Sequence, residues 1–371
     1  MTTHHQRRIK VWDLPVRLFH WTLVASVAIG FITGYIAPEW WMGVHIWAGY
    51  ITVVLVVFRL VWGIYGSEFS RIETFTFSPR EIWAHMRELV FLRPSHYVGH
   101  NPSGALMVFT LIFILAGISL SGLTLLGGEE NQGALAGVVG YGAGDIARTV
   151  HNVLVYTLLG LVVLHIAGVV LEIRLTGEDL VRAMITGWKA LPAGVIPPKA
   201  RAPRIGAAAT VLGAFVLAGG GALWGLSKIP PSGLSKLAAN SAYQGNCADC
   251  HQLYHPSLLP ASSWRALMGN LGNHFGEDAS LAPADQVEIT RYLSANSADA
   301  WDTEAANRFR KVNPRHPWQI TATPYWVWKH KNIPPAVFAR KSIGAKGHCA
   351  ACHRDDASGR FDDQKINIPK E

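Results

Sequence analysis

The sequence has few charged residues and few cysteines. Only 16% of its 371 residues are charged and 50% are hydrophobic, a balance that indicates a membrane protein and argues against a soluble enzyme. All four cysteines lie in two C-x-x-C-H motifs, so none is left for a structural disulfide. The net charge of +8 could suggest a nucleic-acid partner, but the topology argued below accounts for it, and we expect no such partner.

Both C-x-x-C-H motifs lie in the last third of the chain. Their residues are Cys247, Cys250 and His251, and Cys349, Cys352 and His353. A C-x-x-C pair alone would also fit a redox dithiol or half of a zinc site. A histidine directly after the second cysteine, in both copies, favours covalent heme attachment with the imidazole as an axial ligand. The sequence therefore predicts two c-type hemes.

Five apolar segments are long enough to cross a bilayer, which takes about 20 residues. Their approximate ranges are 17–36, 43–64, 104–126, 149–171 and 206–227. The polar stretch before the first is too long for the start of a signal peptide, and no small-residue cleavage site follows. We therefore expect the first segment to be a retained helix. Asn101 and Pro102 are predicted to be the N-cap and first turn of the third span.

Basic residues are concentrated in alternate loops. The loops after the second and fourth spans carry several arginines and lysines, whereas "APEWWMG" and "GGEENQGALAGVVGYGAGD" contain none. The positive-inside rule then places the N-terminus in the cytoplasm and everything after Lys228 outside. In a bacterium this corresponds to the inner membrane and the periplasm. Attachment of c-type heme takes place on that same outer side.

The expected fold is all-α. Residues 1–200 are predicted to form a transmembrane four-helix bundle, and 201–238 a fifth helix and a linker that tethers the rest. Residues 239–371 are expected to form a mainly helical periplasmic diheme cytochrome c domain. Helical spacing of apolar residues in 262–271 and 283–297 supports that expectation.

Four histidines lie inside the predicted spans, where an ionisable side chain is costly and usually functional. They are His20, His45, His151 and His165. Fourteen residues separate the last two, which is about 21 Å along a helix and within roughly 40° of the same face. Depth then pairs His45 with His151 near the outer surface and His20 with His165 near the inner one. We expect two b-type hemes; a hydrogen bond to a neighbouring helix is the alternative for any single histidine.

The distal ligand of the second c-type heme must come from upstream, because neither histidine nor methionine follows His353. We prefer His330 to His316, and His348 lies too close to Cys349 to reach the opposite heme face.

For the first c-type heme, the candidate distal ligands are His255, Met268 and His274. Methionine would raise the heme potential relative to histidine. We prefer His274, because His255 lies just after the attachment motif.

Two arginines are candidate partners for heme propionates: Arg59 in the second span and Arg148 before the fourth. Extension of either side chain to the membrane surface is the alternative. His100 could neighbour the inner heme, although a solvated loop histidine is the preferred interpretation.

Four segments carry a resemblance to a known family: "VWDLPVRLFHW", "FRLVWGIYG", "GHNPSGALMVF" and "VRAMITGWK". Across about residues 8–190 the chain resembles bacterial cytochrome b561 and the cytochrome b subunits of membrane-bound hydrogenases. The resemblance implies a four-helix bundle with two b-type hemes, whose ligands match His20, His45, His151 and His165. Some members of this family oxidise superoxide and reduce ubiquinone.

The region from about 240 to 360 resembles a second family, the small diheme cytochromes c that partner an oxygen-binding monoheme cytochrome. The likeness is carried by "CADCHQLYHPSLLPASSWRALMGNLGNHFGEDASL" and "ITATPYWVWKHKNIPPAVFARKSIGAKGHCAACHRD". It implies two histidine ligands at each iron, and electron transfer in place of catalysis at the hemes.

Together these features predict a membrane tetraheme cytochrome. It would move electrons between the pool of ubiquinone or menaquinone and a soluble periplasmic acceptor such as a monoheme cytochrome c, with quinol oxidation as its enzymatic step. The alternatives are a superoxide oxidase, and a relay subunit of a hydrogenase or dehydrogenase within a larger complex or oligomer.

Overall fold

The computed structural model describes residues 8–191, 200–234 and 237–370. Four parts of the predicted domains lie outside the described residues. They are residues 1–7 and 192–199 of the membrane domain, 235–236 of the linker and residue 371 of the C-terminal domain.

Seven helices precede the linker. They are α1 (Leu14–Tyr35), α2 (Met42–Tyr65), α3 (Pro79–Val90), α4 (Pro102–Gly128), α5 (Tyr141–Thr176), α6 (Leu180–Thr186) and α7 (Ile205–Leu226). Among the described residues, all of these except α3 and α6 are long and apolar enough to cross a membrane. The five predicted spans are therefore confirmed. Helix α5 extends several residues beyond its predicted range at both ends.

Side-chain caps explain where two of these helices begin. Asp13 accepts a hydrogen bond from the Val16 amide at 2.9 Å at the start of α1. Asn101 accepts one from the Gly104 amide at 2.7 Å at the start of α4, as the sequence predicts. Such caps satisfy amide groups that the first helical turn leaves without a partner.

A small antiparallel ribbon adds to the helical architecture. Strand β1 (Arg8–Lys10) pairs with β2 (Trp188–Ala190), with Arg8 opposite Ala190. Gly187, with φ +89°, ends α6 immediately before β2, because glycine enters this left-handed conformation without a Cβ penalty.

The C-terminal region folds into short helices. They are α8 (Ser241–Cys247), α9 (Ala261–Met268), α10 (Pro283–Ala295), α11 (Glu304–Phe309), α12 (Pro324–His330) and α13 (Pro335–Phe338). Leu258, Leu259, Trp264, Ile289 and Leu293 form the centre of the apolar core of this region. The helices predicted around 262–271 and 283–297 correspond to α9 and α10.

The chain divides into two compact units. The membrane unit comprises Met1–Ile36, Val44–Gly122 and Arg148–Leu223. The C-terminal unit comprises Ala37–Gly43, Leu123–Ala147 and Trp224–Glu371. Two loops between membrane helices thus belong to the same compact unit as the C-terminal helices. One ion pair within it joins Arg308 to Asp145 at 3.0 Å.

Candidate functional site: four histidine pairs

Helices α2 and α5 bring the rings of His45 and His151 next to each other within the membrane unit. Their ring centroids are 6.2 Å apart and their planes are inclined by 69°. A metal between two imidazoles needs two bonds of about 2 Å plus roughly 1 Å from each ring centre to its nitrogen, or about 6 Å in all. The observed separation therefore fits one iron atom between the two rings.

Backbone carbonyls hold these two rings in a ligating orientation. The Nδ1 of His45 donates to the Gly30 carbonyl at 2.9 Å, and that of His151 donates to the Ile118 carbonyl at 3.1 Å. A carbonyl can only accept, so the proton lies on Nδ1 and the Nε2 lone pair is free for a metal. Metal-binding histidines in proteins commonly have this second contact.

Glycines allow the neighbouring helices to approach these rings. A Cβ on Gly34 would lie 3.1 Å from Cε1 of His45, and a Cβ on Gly122 would lie 3.2 Å from Cε1 of His151. The hydroxyls of Thr33 and Ser121 also lie within 3.3 Å of the two Nδ1 atoms. Sequence reasoning missed these neighbours, although small and hydroxyl residues in an otherwise apolar span could have indicated them.

His20 and His165 form the second pair of the membrane unit. They lie on α1 and α5 and are close enough to interact electrostatically. Nδ1 of His20 is enclosed and has no hydrogen-bond partner among the described residues. Because α5 is one continuous helix from Tyr141 to Thr176, His151 and His165 are held on two levels, as their spacing predicts.

The first C-x-x-C-H motif faces His274. The rings of His251 and His274 are 6.2 Å apart and inclined by 27°, and Nδ1 of His251 donates to the Gln252 carbonyl at 2.7 Å. The pair has the same separation as that of His45 and His151.

The other two candidates for this position are engaged elsewhere. Met268 is 3% exposed and lies in the apolar core. His255 is 5% exposed; its Nδ1 pairs with the Ser257 hydroxyl at 2.7 Å, and its ring meets the edge of Trp301 at 4.6 Å. Of the three candidates, His274 is the one placed opposite His251.

The second motif faces His330. Its ring lies 6.2 Å from that of His353 and stacks on Trp326 at 4.3 Å, while its Nδ1 donates to the Trp326 carbonyl at 2.9 Å. Of the other two candidates, His316 is exposed in a turn. His348 also lines the cleft, and its Nδ1 donates to the Ile343 carbonyl at 2.8 Å, but the histidine ring in contact with that of His353 is the ring of His330.

A cleft surrounds this pair and is lined by His330, His353, Cys349 and Cys352. Its remaining walls are mostly apolar and include Phe309, Trp326, Phe338, Ile343, Phe361 and Ile366. Apolar walls with a few polar groups are typical of cofactor sites in proteins. A planar apolar macrocycle with two thioether links and two imidazole ligands fits this composition.

The thiols themselves are poor candidates for dithiol redox chemistry. The four cysteines are free, and burial raises the pKa of Cys349 to about 11. Reactive redox cysteines have lowered pKa values, because the thiolate is the nucleophile. No group of three or more His, Cys, Asp or Glu side chains suited to holding a metal ion occurs among the described residues.

Arg59 is 4% exposed and donates to the Ser70 carbonyl at 3.1 Å. It is thus buried and does not extend to the surface, while Arg148 is half-buried on α5. His100 is packed between the rings of Trp12 and Phe75, at 4.7 and 4.4 Å. The preferred interpretation of His100 as a solvated loop residue is wrong, because two aromatic rings enclose it.

Two family models match the chain. Prokaryotic cytochrome b561 matches residues 11–187, and dihaem cytochrome c matches residues 243–361. Residues 11–187 therefore belong to the cytochrome b561 family, and residues 243–361 to the diheme cytochrome c family.

Individual proteins are similar to one region or the other. The chain is 28% identical over 216 residues to a probable Ni/Fe-hydrogenase B-type cytochrome subunit of Azotobacter vinelandii, covering 50% of this chain and 89% of that protein. A diheme cytochrome c from Rhodobacter sphaeroides is 37% identical over 33% of this chain and 95% of its own, with a TM-score of 0.29. The diheme cytochrome c of Shewanella baltica OS155 is 33% identical over 35% and 94%, with a TM-score of 0.29.

The cytochrome b561 family and the five apolar helices make this an integral membrane protein. Membership in both cytochrome families supports binding of heme b and heme c and is consistent with membrane electron transfer.

Proposed function

We propose that this b561–diheme c fusion is a tetraheme cytochrome that transfers electrons between the membrane quinone pool and a soluble periplasmic acceptor. The observation that supports it best is the recurrence of one geometry. Three histidine pairs in the two regions have ring centroids 6.2 Å apart, the separation that suits an iron atom between two imidazoles.

In this proposal each histidine pair would hold one heme. His20 with His165 and His45 with His151 would hold the b-type hemes, and His251 with His274 and His353 with His330 the c-type hemes. Cys247 and Cys250 would anchor the first c-type heme, and Cys349 and Cys352 the second. Heme supplies one-electron chemistry, and an iron with two imidazole ligands has no open position for substrate.

The contribution of the chain is to orient the imidazoles and exclude water. Carbonyls that accept from Nδ1 fix the ring orientation at His45, His151, His251 and His330 and make the ligands more basic. Stacking on Trp326 also restricts rotation of the His330 ring. Arg59 and Arg148 remain candidates for propionate contacts.

The distribution of basic residues supports a cytoplasmic N-terminus and a periplasmic heme c region. With that orientation, electrons from the quinone pool cross to the outer side and reach a soluble protein there. The proposal keeps the predicted domains: residues 1–200 as the four-helix membrane domain, 201–238 as the fifth helix and linker, and 239–371 as the periplasmic heme c domain.

A redox titration of the purified protein, with heme quantified as pyridine hemochrome, tests the cofactor assignment. We expect equal amounts of b-type and c-type heme. Addition of a quinol analogue should then reduce both types, and an inhibitor of quinone sites should block the reduction. Reduction by superoxide but not by quinol would favour the superoxide oxidase alternative, and reduction by neither would contradict the proposed direction from quinol to acceptor.

A relay role within a larger complex is the second candidate. It is favoured by relatives named as probable B-type cytochrome subunits of Ni/Fe-hydrogenase. Purification from the native membrane with a stoichiometric catalytic subunit would support it. A chain that purifies alone and reacts with quinol would support the first proposal.

A further inference from the structure

We propose an order for the two c-type sites. The second site, at Cys349, Cys352, His353 and His330, exchanges electrons with the His45–His151 site. The first site, at His251 and His274, passes them to the soluble partner, a one-electron redox protein. This order rests on the proposed function. It adds which c-type site exchanges electrons with the membrane hemes and which one exchanges them with the soluble partner.

An ion network connects the second site to the loop before α2. Lys329, adjacent to His330, lies 3.2 Å from the Glu39 carboxylate and 3.4 Å from that of Asp363. Lys329 is 18% exposed and Asp363 13%, so their contact is largely shielded from solvent, whereas Glu39 is 50% exposed. Glu39 also lines the same cleft as His330 and His353.

The C-terminal segment makes a second connection to that loop. Ile366 pairs with His353 through an isolated bridge, and the Asn367 amide donates to the Cys352 carbonyl at 2.8 Å. In the same segment, the side chain of Gln364 lies close to Gly43. A Cβ added to Gly43 would come within 2.9 Å of Oε1 of Gln364. One short segment therefore contacts both the second motif and the beginning of α2.

Helix α2 carries the connection on to a b-type site. The helical stretch Glu39–Tyr65 is continuous, and His45 follows Glu39 by six positions. At the rise of an α-helix, six residues span about 9 Å. Glu39, which lines the wall of the second c-type site, therefore lies less than two helical turns before a b-type ligand.

A hydrogen bond joins the two c-type motifs. The Ala350 amide, between Cys349 and Cys352, donates to the Gln252 side-chain oxygen at 3.0 Å. The carbonyl of Gln252 in turn accepts from the His251 ring. The two c-type sites are thus direct neighbours, and an electron that reaches the second site can continue to the first.

The turn that follows His274, a residue of the first site, borders solvent. It presents Phe275 at 59% exposure with a φ of +55°, followed by Gly276 with a φ of +101°. An exposed aromatic beside the first site suits brief docking of a redox protein, whose interfaces are small. Each step between hemes, and the last step to the soluble protein, transfers one electron without making or breaking a bond. The source, quinol, gives up two electrons and releases two protons as it becomes quinone, so each quinol supplies two such transfers.

Matched heme deletions in the full chain, in nanodiscs, test this order. The variants are Cys247→Ala/Cys250→Ala and Cys349→Ala/Cys352→Ala, and the b-type hemes are reduced photochemically, without quinol. With the first motif removed, the remaining c-type heme should be reduced at the wild-type rate, while reduction of added mitochondrial cytochrome c slows by at least about an order of magnitude. With the second motif removed, reduction of the remaining c-type heme should itself slow by that much. The reverse pattern would overturn the order.

A milder variant tests the same order if heme deletion prevents folding. Lys329→Met should retain all four hemes by pyridine hemochrome, yet slow electron transfer from b-type to c-type heme. Lys331→Met, at an exposed neighbouring lysine, is the matched control and should leave the rate unchanged. Equal rates in both variants would contradict the proposed contact. Because photoreduction replaces quinol, a failure of the quinone proposal would appear separately, as absent quinol reduction in the wild type.

Discussion

Replacement of His330 should change one heme in a predictable way without releasing it. In His330→Ala the heme stays attached through Cys349 and Cys352, so the total heme content should not change. The ring of His330 lies 6.2 Å from that of His353 and is, within the part of the chain that the structure describes, the histidine ring in contact with it. One of the four proposed hemes then becomes five-coordinate, so about a quarter of the low-spin signal, or half of the c-type part, should turn high-spin.

His330→Met should restore a six-coordinate iron with a raised potential, because thioether ligation favours the reduced state relative to imidazole. Electron paramagnetic resonance and a spectroelectrochemical titration measure these two effects. His316→Ala is the matched control, since its side chain is exposed in a turn, and it should behave as the wild type. A fully low-spin spectrum in His330→Ala, or a loss of low-spin signal in His316→Ala, would refute the ligand assignment.

Three further predictions concern stability and heme content. Arg308→Met removes the guanidinium that lies 3.5 Å from the carboxylate of Glu129, a residue that is only 1% exposed. Because Arg308 is partly exposed, we expect the free energy of unfolding to fall by about 2 kcal/mol, which scanning fluorimetry should show as a decrease of roughly 4–8 °C in Tm. Arg308→Lys should lose less, and equal Tm values in all three proteins would contradict a role for this pair. His165→Ala should lower the ratio of b-type to c-type heme by about half, measured as pyridine hemochrome, whereas an unchanged ratio would exclude His165 as a ligand. Burial lowers the pKa of His255 to about 4, so the unfolded state binds the extra proton and stability should fall by up to about 3 kcal/mol as the pH drops from 6.5 to 4. His255→Gln should flatten this part of the Tm profile, and a profile as steep as that of the wild type would show that another group is responsible.

Much of the site could be predicted from the sequence because its signals are local. A C-x-x-C-H motif defines covalent attachment within five residues, and apolar runs of about 20 residues define membrane helices. His151 and His165 lie on one helix, so regular geometry alone places them on two levels. The starts of α1 and α4 likewise follow from Asp13 and Asn101, each of which caps the residues directly after it.

Other features depend on how separate segments of the chain pack together. His274, Met268 and His255 are all chemically suited to face His251, and only packing separates them. Met268 fills the apolar core and His255 is enclosed with Ser257 and Trp301, whereas the turn after Leu271 presents His274. Arg59 shows the same limit, since its buried guanidinium donates to the Ser70 carbonyl, which the following loop places there.

Composition, motif spacing and helical periodicity determined on their own that this is a membrane chain with two attachment motifs and paired histidines, because each property is written in neighbouring residues or along one helix. The tertiary structure decided which histidine faces each motif, and that the loop at Glu39 belongs to the same compact unit as the C-terminal helices. Glu39 and Lys329 lie nearly three hundred positions apart in the chain, so no local pattern encodes their contact. The histidine opposite each motif is likewise selected by packing, because several chemically equivalent partners are available.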